Sequence, residues 1–176
     1  MNLQSNDFEL FGVAQNFAQD RAALDARWKD LQREAHPDKF AAQGAAAQRL
    51  AMQWSVRINE SYQRLKDPLK RAAYLCELNG APVNAENNTA MPAEFLMQQM
   101  SWRESLDEAV SLEEIERIGL QVTKMQRKVL EKCEQLIDVD HDFSGAAGQV
   151  RALMFIERFA SDVDARIEQL ESNPHG

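Results

Sequence analysis

Ala35-His36-Pro37-Asp38-Lys39-Phe40 is where a helical pattern of four turns stops. The segment before it starts behind Asp20, a residue type that accepts hydrogen bonds from the first free amides of a helix. It spaces Leu24, Trp28, Leu31 and Ala35 by four, three and four residues, which is one apolar stripe. Pro37 ends the helix because it lacks an amide proton and disfavours the α conformation in the residue before it, so His36 is expected at the helix mouth with its ring free. At about 100° per residue, Ala22, Ala26, Lys29 and Arg33 fall on the face opposite the stripe, a ridge that leads to His36. Small residues and two cations ending in His-Pro-Asp make a docking surface. Without the tripeptide the same residues would be an ordinary solvated face.

Working outward, Phe40 to Ala47 reads as an alanine-rich connector with Gly44 as a loop residue. Ala47, Leu50, Trp54, Ile58, Ser61 and Leu65 then form a second stripe that can pack antiparallel on the first, giving a helical hairpin with the tripeptide at its tip. Upstream, Asp7 to Val13 holds a short helix in which Phe8, Leu10 and Phe11 are core anchors and Gly12 the stop. Downstream, Asp67-Pro68 is an N-cap followed by a proline at the first helical position, and the helix it opens ends at Asn79-Gly80. This organises residues 1–80 as one domain.

Residues 81–92 exchange periodic apolars for prolines and asparagines and read as a linker. Residues 93–176 carry three amphipathic helices. The first runs from about Pro92 to Val110. The second opens at Ser111-Leu112-Glu113-Glu114, a capping box, and aligns Ile115, Val122, Val129, Cys133 and Leu136. The third starts around Ser144 and aligns Leu153, Ile156, Ala160, Val163, Ile167 and Leu170. Short connections make these a three-helix bundle, and with no strand-like alternation anywhere the fold class is all-α.

The bundle has apolar residues that its own core does not need. Phe95, Trp102, Leu106 and Ala109 define the inward stripe of its first helix, but Leu96, Met97 and Met100 lie about 100° to 200° away, beside Glu104 and Glu108. Phe155 is similarly far round from its own helix's stripe. Adaptable methionines with orienting carboxylates suit a protein-binding patch. Packing of Leu96, Met97 and Phe155 against the first domain or the linker would account for them equally well.

The composition narrows the functional classes. The 176 residues are 44% hydrophobic and 27% charged, the balance of a globular protein, and the net charge of −8 argues against general phosphate-backbone binding. Residues Met1 to Asp7 have no basic and apolar leader pattern, and no apolar run approaches the roughly 18 residues of a membrane span, so a cytoplasmic location is expected. Cys76 and Cys133 are far apart and read as buried small apolars rather than as a disulfide framework. An enzyme built on His36 and Asp38 would lack a nucleophile partner and a phosphate cradle. A metal site there would offer two ligands where three or four are usual, with His141 and His175 at no helpful spacing. Neither a cofactor nor a metal is expected.

The tripeptide in its context resembles a J-domain, the module that stimulates DnaK-type chaperone ATPases, over roughly residues 5 to 78. The matching features are the Asp7-to-Val13 helix, His36-Pro37-Asp38-Lys39, and a long helix carrying Ile58-Asn59-Glu60-Ser61-Tyr62-Gln63-Arg64-Leu65 before Asp67-Pro68. With Phe95-Leu96-Met97-Gln98-Gln99-Met100-Ser101-Trp102-Arg103-Glu104-Ser105-Leu106-Asp107-Glu108 added, nearly the whole chain resembles the HscB family of iron-sulfur co-chaperones, in its bacterial form without the cysteine extension of some eukaryotic members. The resemblance implies two partners, an IscU-type scaffold protein and the HscA-type, DnaK-like chaperone ATPase. It assigns scaffold binding to Leu96, Met97, Met100, Glu104, Glu108 and Phe155. Chaperone binding and ATPase stimulation go to His36, Pro37 and Asp38 with Lys29, Arg33, Arg27 and Lys39. Ser101 departs from the family pattern, which often has an acid there. A J-domain co-chaperone serving a different client is the alternative.

Overall fold

The structure, a computed structural model, describes residues 2–172. Among them it is all-α, without a strand, and it divides into two compact units, the first ending at Leu75 and the second beginning at Cys76.

The first unit opens with α1 (Asp7–Phe11), started by an Asn6/Glu9 capping box and stopped by Gly12, whose φ of 65° needs a residue without a Cβ. α2 (Arg21–Glu34) follows its expected cap, with the Asp20 side chain accepting from Ala22 N at 3.0 Å. A 3₁₀ turn over Pro37–Gln43 leads to α3 (Ala45–Lys66). The helix thus starts at Ala45, within the stretch expected to be connector, because Gly44 at φ 100° supplies the chain reversal by itself.

α2 and α3 pair antiparallel in a register set by polar contacts. The Tyr62 hydroxyl donates to Asp25, Trp28 Nε1 donates to Asn59 Oδ1 at 3.0 Å, and Ser55 Oγ donates to Ala35 O at 3.4 Å. Trp28 also stacks on Tyr62 with ring centroids 4.7 Å apart. The second stripe is rotated from the expected one: the buried line of α3 runs through Ala51, Ile58 and Leu65 at seven-residue spacing, and Leu50, about 80° round from Ile58, is 48% exposed. Leu24, Leu31, Ile58 and Leu65 form the core as expected. The Asp25 carboxyl is held below its ordinary range, first by the Tyr62 hydroxyl and then by Arg21.

A polar knot lies beside this core. Asp7 is fully buried and accepts from Arg57 Nη1 and Arg64 Nε, each at 2.6 Å, and from Ser61 Oγ at 2.9 Å. Arg57 Nη2 reaches Ser5 O at 2.8 Å, so one guanidinium ties the N-terminal segment to α3.

α4 (Pro68–Leu78) begins behind Asp67, whose Oδ1 accepts from Leu69 N at 2.9 Å, and the division between units falls within this helix.

The second unit holds α5 (Ala93–Glu108), α6 (Leu112–Glu134) and α7 (Phe143–Ser172), with a π turn over Gln135–Val139 extending α6. The Ser111/Glu114 capping box starts α6, and its predicted stripe from Ile115 to Leu136 is buried throughout. In α7, Leu153, Ile156 and Val163 are buried, but Ala160, Ile167 and Leu170 are only half-buried, and Phe159, off the predicted stripe, is wholly buried. For Ile167 and Leu170 the cause is length. Arg166 Nη2 meets Ala109 O at 3.1 Å, at the junction of α5 and α6, so Ile167 and Leu170 lie past the ends of both helices. Residues 81–92 are held in this unit. Arg151, 9% exposed, donates from Nε to Val83 O at 2.8 Å and from Nη1 to Ala90 O at 3.0 Å. Cys76 and Cys133 are free and fully buried, and desolvation raises their thiols to about 11 and about 12.

Candidate functional site

Two exposed surfaces carry the predicted site residues. The first is the turn after α2. Ala35 closes the helix with its amide on Leu31 O, and His36 turns the chain to φ −62°, ψ 128°. The ring of His36 is not free as expected. It caps the 3₁₀ turn, with Nδ1 accepting from Asp38 N at 3.2 Å, while His36 O accepts from Lys39 N at 3.0 Å. The tripeptide is therefore a rigid tip: Pro37 fixes φ, the imidazole fixes the following amide, and Asp38 projects outward with its side chain 92% exposed.

Ala22, Ala26, Lys29 and Arg33 are all exposed along α2, as the helical spacing predicts. Lys39 is exposed and Arg27 half-buried. Arg33 lies 3.7 Å from Asp30 with both side chains largely in solvent, a pair of little strength that leaves the guanidinium available. The ridge can thus offer small, closely approachable surface with cations and one unneutralised carboxylate at its end. Among the described residues no group of three His, Cys, Asp or Glu side chains could hold a metal ion. His141 sits in the α6–α7 connection at φ 52°, and His175 lies outside the described residues.

The second surface is the outer face of α5. Phe95, Trp102 and Leu106 turn inward, as the stripe predicts, and lock the helix on α7, with Trp102 stacked on Phe159 at 5.6 Å. Leu96, Met97 and Met100 point away and are 43%, 75% and 73% exposed. Beside them a groove of about 490 Å³ runs between α5 and α7. Met100 and the half-buried Phe155 give it apolar surface, and Glu104 and Glu108 form an acidic wall. Phe155 is held in place edge-on to Phe95 at 5.7 Å and stacked on Phe159 at 6.3 Å.

The structure thus gathers Met100, Glu104, Glu108 and Phe155 in one groove, with Leu96 and Met97 exposed on the same helix and not among its lining. Three lining residues were missed by the sequence reading: Gln99, Arg103 and Asp107. Asp107 could have been found, since it stands three residues after Glu104 on a shared face. Arg103 could not. Its place depends on Asp162 at 3.1 Å and the Phe159 ring at 5.0 Å, both on another helix. Gln99 Oε1 and Trp102 Nε1 are buried without a hydrogen-bond partner. Ser101 is exposed, so an acid at that position would also face solvent.

Comparison with known proteins adds three findings. Residues 91–164 match a family model described as the HSCB C-terminal oligomerisation domain. A co-chaperone protein HscB homolog from Burkholderia multivorans is 47% identical over 175 residues, covering 98% of this chain and 99% of the relative. Among solved structures, the chaperone HscB from Vibrio cholerae superposes with a TM-score of 0.82 at 35% identity, covering 94% of this chain and 99% of that one. The human co-chaperone protein HscB superposes with a TM-score of 0.86 at 25% identity, covering 94% and 84%.

Proposed function

The chain belongs to the HscB family of co-chaperones, and on that premise we propose that it delivers an IscU-type iron-sulfur scaffold protein to an HscA-type, DnaK-like chaperone and stimulates that chaperone's ATPase, acting in the cytoplasm. The work is the coupling of two binding events rather than chemistry performed by this chain. At the α2 tip, His36, Pro37 and Asp38, with Lys29, Arg33, Arg27 and Lys39, meet the chaperone's ATP state. Asp38 is positioned for a basic chaperone residue because no strong pair within the unit consumes its charge. Truncating such a pair costs about 2–5 kcal/mol where it becomes desolvated. On α5, Leu96, Met97, Met100 and Phe155 give the scaffold its apolar contact, and Glu104 and Glu108 orient it. Holding both partners on one chain raises the scaffold's effective concentration at the chaperone.

The observation that carries this reading is the exposure of Leu96, Met97 and Met100 beside the acidic groove that holds Phe155. A role in the second unit's own core would bury these side chains. The test is calorimetric titration of the full chain with an IscU-type scaffold, wild type against Leu96→Ala/Met97→Ala/Met100→Ala, with circular dichroism confirming the fold. Binding by the wild type and its loss in the variant supports both client and site. No binding by either protein, with cluster-free and cluster-loaded scaffold alike, leaves a J-domain co-chaperone for a different client.

A further inference from the structure

α5 has a second groove on its other flank, between its N-terminal turn and the C-terminal half of α6, with a volume of about 460 Å³. Its floor is apolar, built from Phe95, Met125 and Val129, and Lys128 and Lys132 stand on its rim. Both lysines are exposed and enter no ion pair among the described residues. Glu94 lines it from α5 and Glu131 from α6, and the exposed Lys124 stands one turn before Lys128, so the α6 edge of the groove carries three lysines at four-residue spacing against one carboxylate. This is a local reversal of sign on a chain of net charge −8.

The two grooves are neighbours across one exposed ridge. Taking Phe95 as pointing inward, helical geometry places Met100 at about 140°, Glu104 at about 180°, Met97 at about 200° and Glu94 at about 260° around α5. Met97 is therefore within about 60° of the lysine-rimmed groove and as close to the acidic one. A protein that covers Met97 and Met100 reaches both walls, one acidic and one basic.

We infer that the groove of Phe95, Met125, Val129, Lys128 and Lys132 is a second half of the docking surface on α5, and that its occupant is the same scaffold partner, bearing carboxylates on the flank that meets α6. The inference rests on the scaffold-binding reading above. Opposite charges on the two sides of an apolar ridge orient a partner: docked the wrong way round, it would set like charges together on both flanks.

The test is titration of the full chain with an IscU-type scaffold, wild type against Lys128→Glu/Lys132→Glu, with Lys128→Gln/Lys132→Gln as the graded case. Two reversals on an interface rim should weaken binding about tenfold, with the glutamine variant in between, and added salt should narrow the gap. Wild-type binding with unchanged affinity in both variants overturns the second groove and leaves the scaffold reading standing. Absence of wild-type binding overturns both. Sedimentation showing that the wild type self-associates through this edge, and that the glutamate variant does not, overturns the inference by assigning the groove to a second copy of the chain.

Discussion

Asp7 in α1 is gripped by Arg57 of α3 at 2.6 Å with no solvent exposure of the carboxylate. The first helix has only five residues and cannot hold its place by its own hydrogen bonds. Its position comes from this knot and from Phe8 and Phe11. Removing the carboxylate leaves two guanidinium groups facing a neutral, poorly paired site. Asp7→Ala should destabilise the first unit by about 1–3 kcal/mol, the cost of lost hydrogen bonds to a buried charged group, since Arg57 and Arg64 keep 19% and 38% of their side-chain surface in water. Urea unfolding read by far-ultraviolet circular dichroism checks this, and a loss within 0.5 kcal/mol would show that the knot contributes little.

Arg151 performs the corresponding task in the second unit. Its guanidinium satisfies the carbonyls of Val83 and Ala90, in a stretch with no regular structure of its own across residues 81–92. Arg151→Met keeps much of the stem's packing and removes both donors. The buried carbonyl of Val83 left unpaired costs about 1–3 kcal/mol, while Ala90 is exposed and its carbonyl can take water instead. The expected result is faster amide hydrogen exchange and proteolysis within residues 81–92, while the amides of α6 keep their protection. Equal acceleration across both would mean that Arg151 supports the whole bundle rather than this segment.

These two residues mark where the sequence was legible and where it was not. Caps, breakers and stripes are local chemistry, so Asp20, Gly12, the Ser111/Glu114 box and the inward faces of α5 and α6 are readable in order along the chain. Asp7 and Arg151 look like ordinary surface charges until partners far away in sequence close around them. The segment at 81–92 has the composition of a linker, yet one arginine from α7 anchors it. Ile167 obeys helical periodicity and still misses the core, because periodicity says nothing about where the facing helix ends, and Leu50 misses it because the pattern left open which of two adjacent lines of α3, through Leu50 or through Ala51, turns inward. Four residues of the acidic groove were foreseeable from apolar surplus and the family pattern. Arg103 needed the packing of α7 to be known.

The thiols give a pH-dependent prediction with a definite sign. Burial raises Cys76 to about 11 and Cys133 to about 12 from an ordinary value of 9.0. A raised folded-state value means that the neutral form is favoured in the fold. Their contribution is therefore flat below pH 9 and stability falls as pH rises from there towards 11 and 12, where the unfolded chain ionises first. Native protein at pH 8 should react with a thiol reagent only at its rate of opening, and urea should release two thiols per chain. Rapid stoichiometric labelling of the folded protein would contradict the burial.

At the α2 tip the backbone role of His36 and its proposed contact with the chaperone can be separated. Glutamine can still accept from Asp38 N, so His36→Gln should leave the unfolding midpoint nearly unchanged. ATPase stimulation of an HscA-type chaperone should nevertheless be lost, with scaffold binding intact. Steady-state phosphate release in the presence of the variant checks this. Stimulation equal to wild type would remove the tip from the chaperone contact.

Met97 and Met100 separate binding from folding most cleanly. At 75% and 73% exposure they contribute little to the bundle core, so Met97→Ser/Met100→Ser should shift stability by no more than about 0.5 kcal/mol. In a complex, each side chain would lose most of that surface to a partner, and full burial of a methionine is worth roughly 1.5–3 kcal/mol. The double variant should therefore bind an IscU-type scaffold at least about tenfold more weakly, mainly through faster dissociation. Parallel urea unfolding and surface plasmon resonance measure the two effects on the same preparation. A variant that loses stability as well as affinity would place these methionines in the fold's own packing, and the partner surface would then have to be sought away from α5.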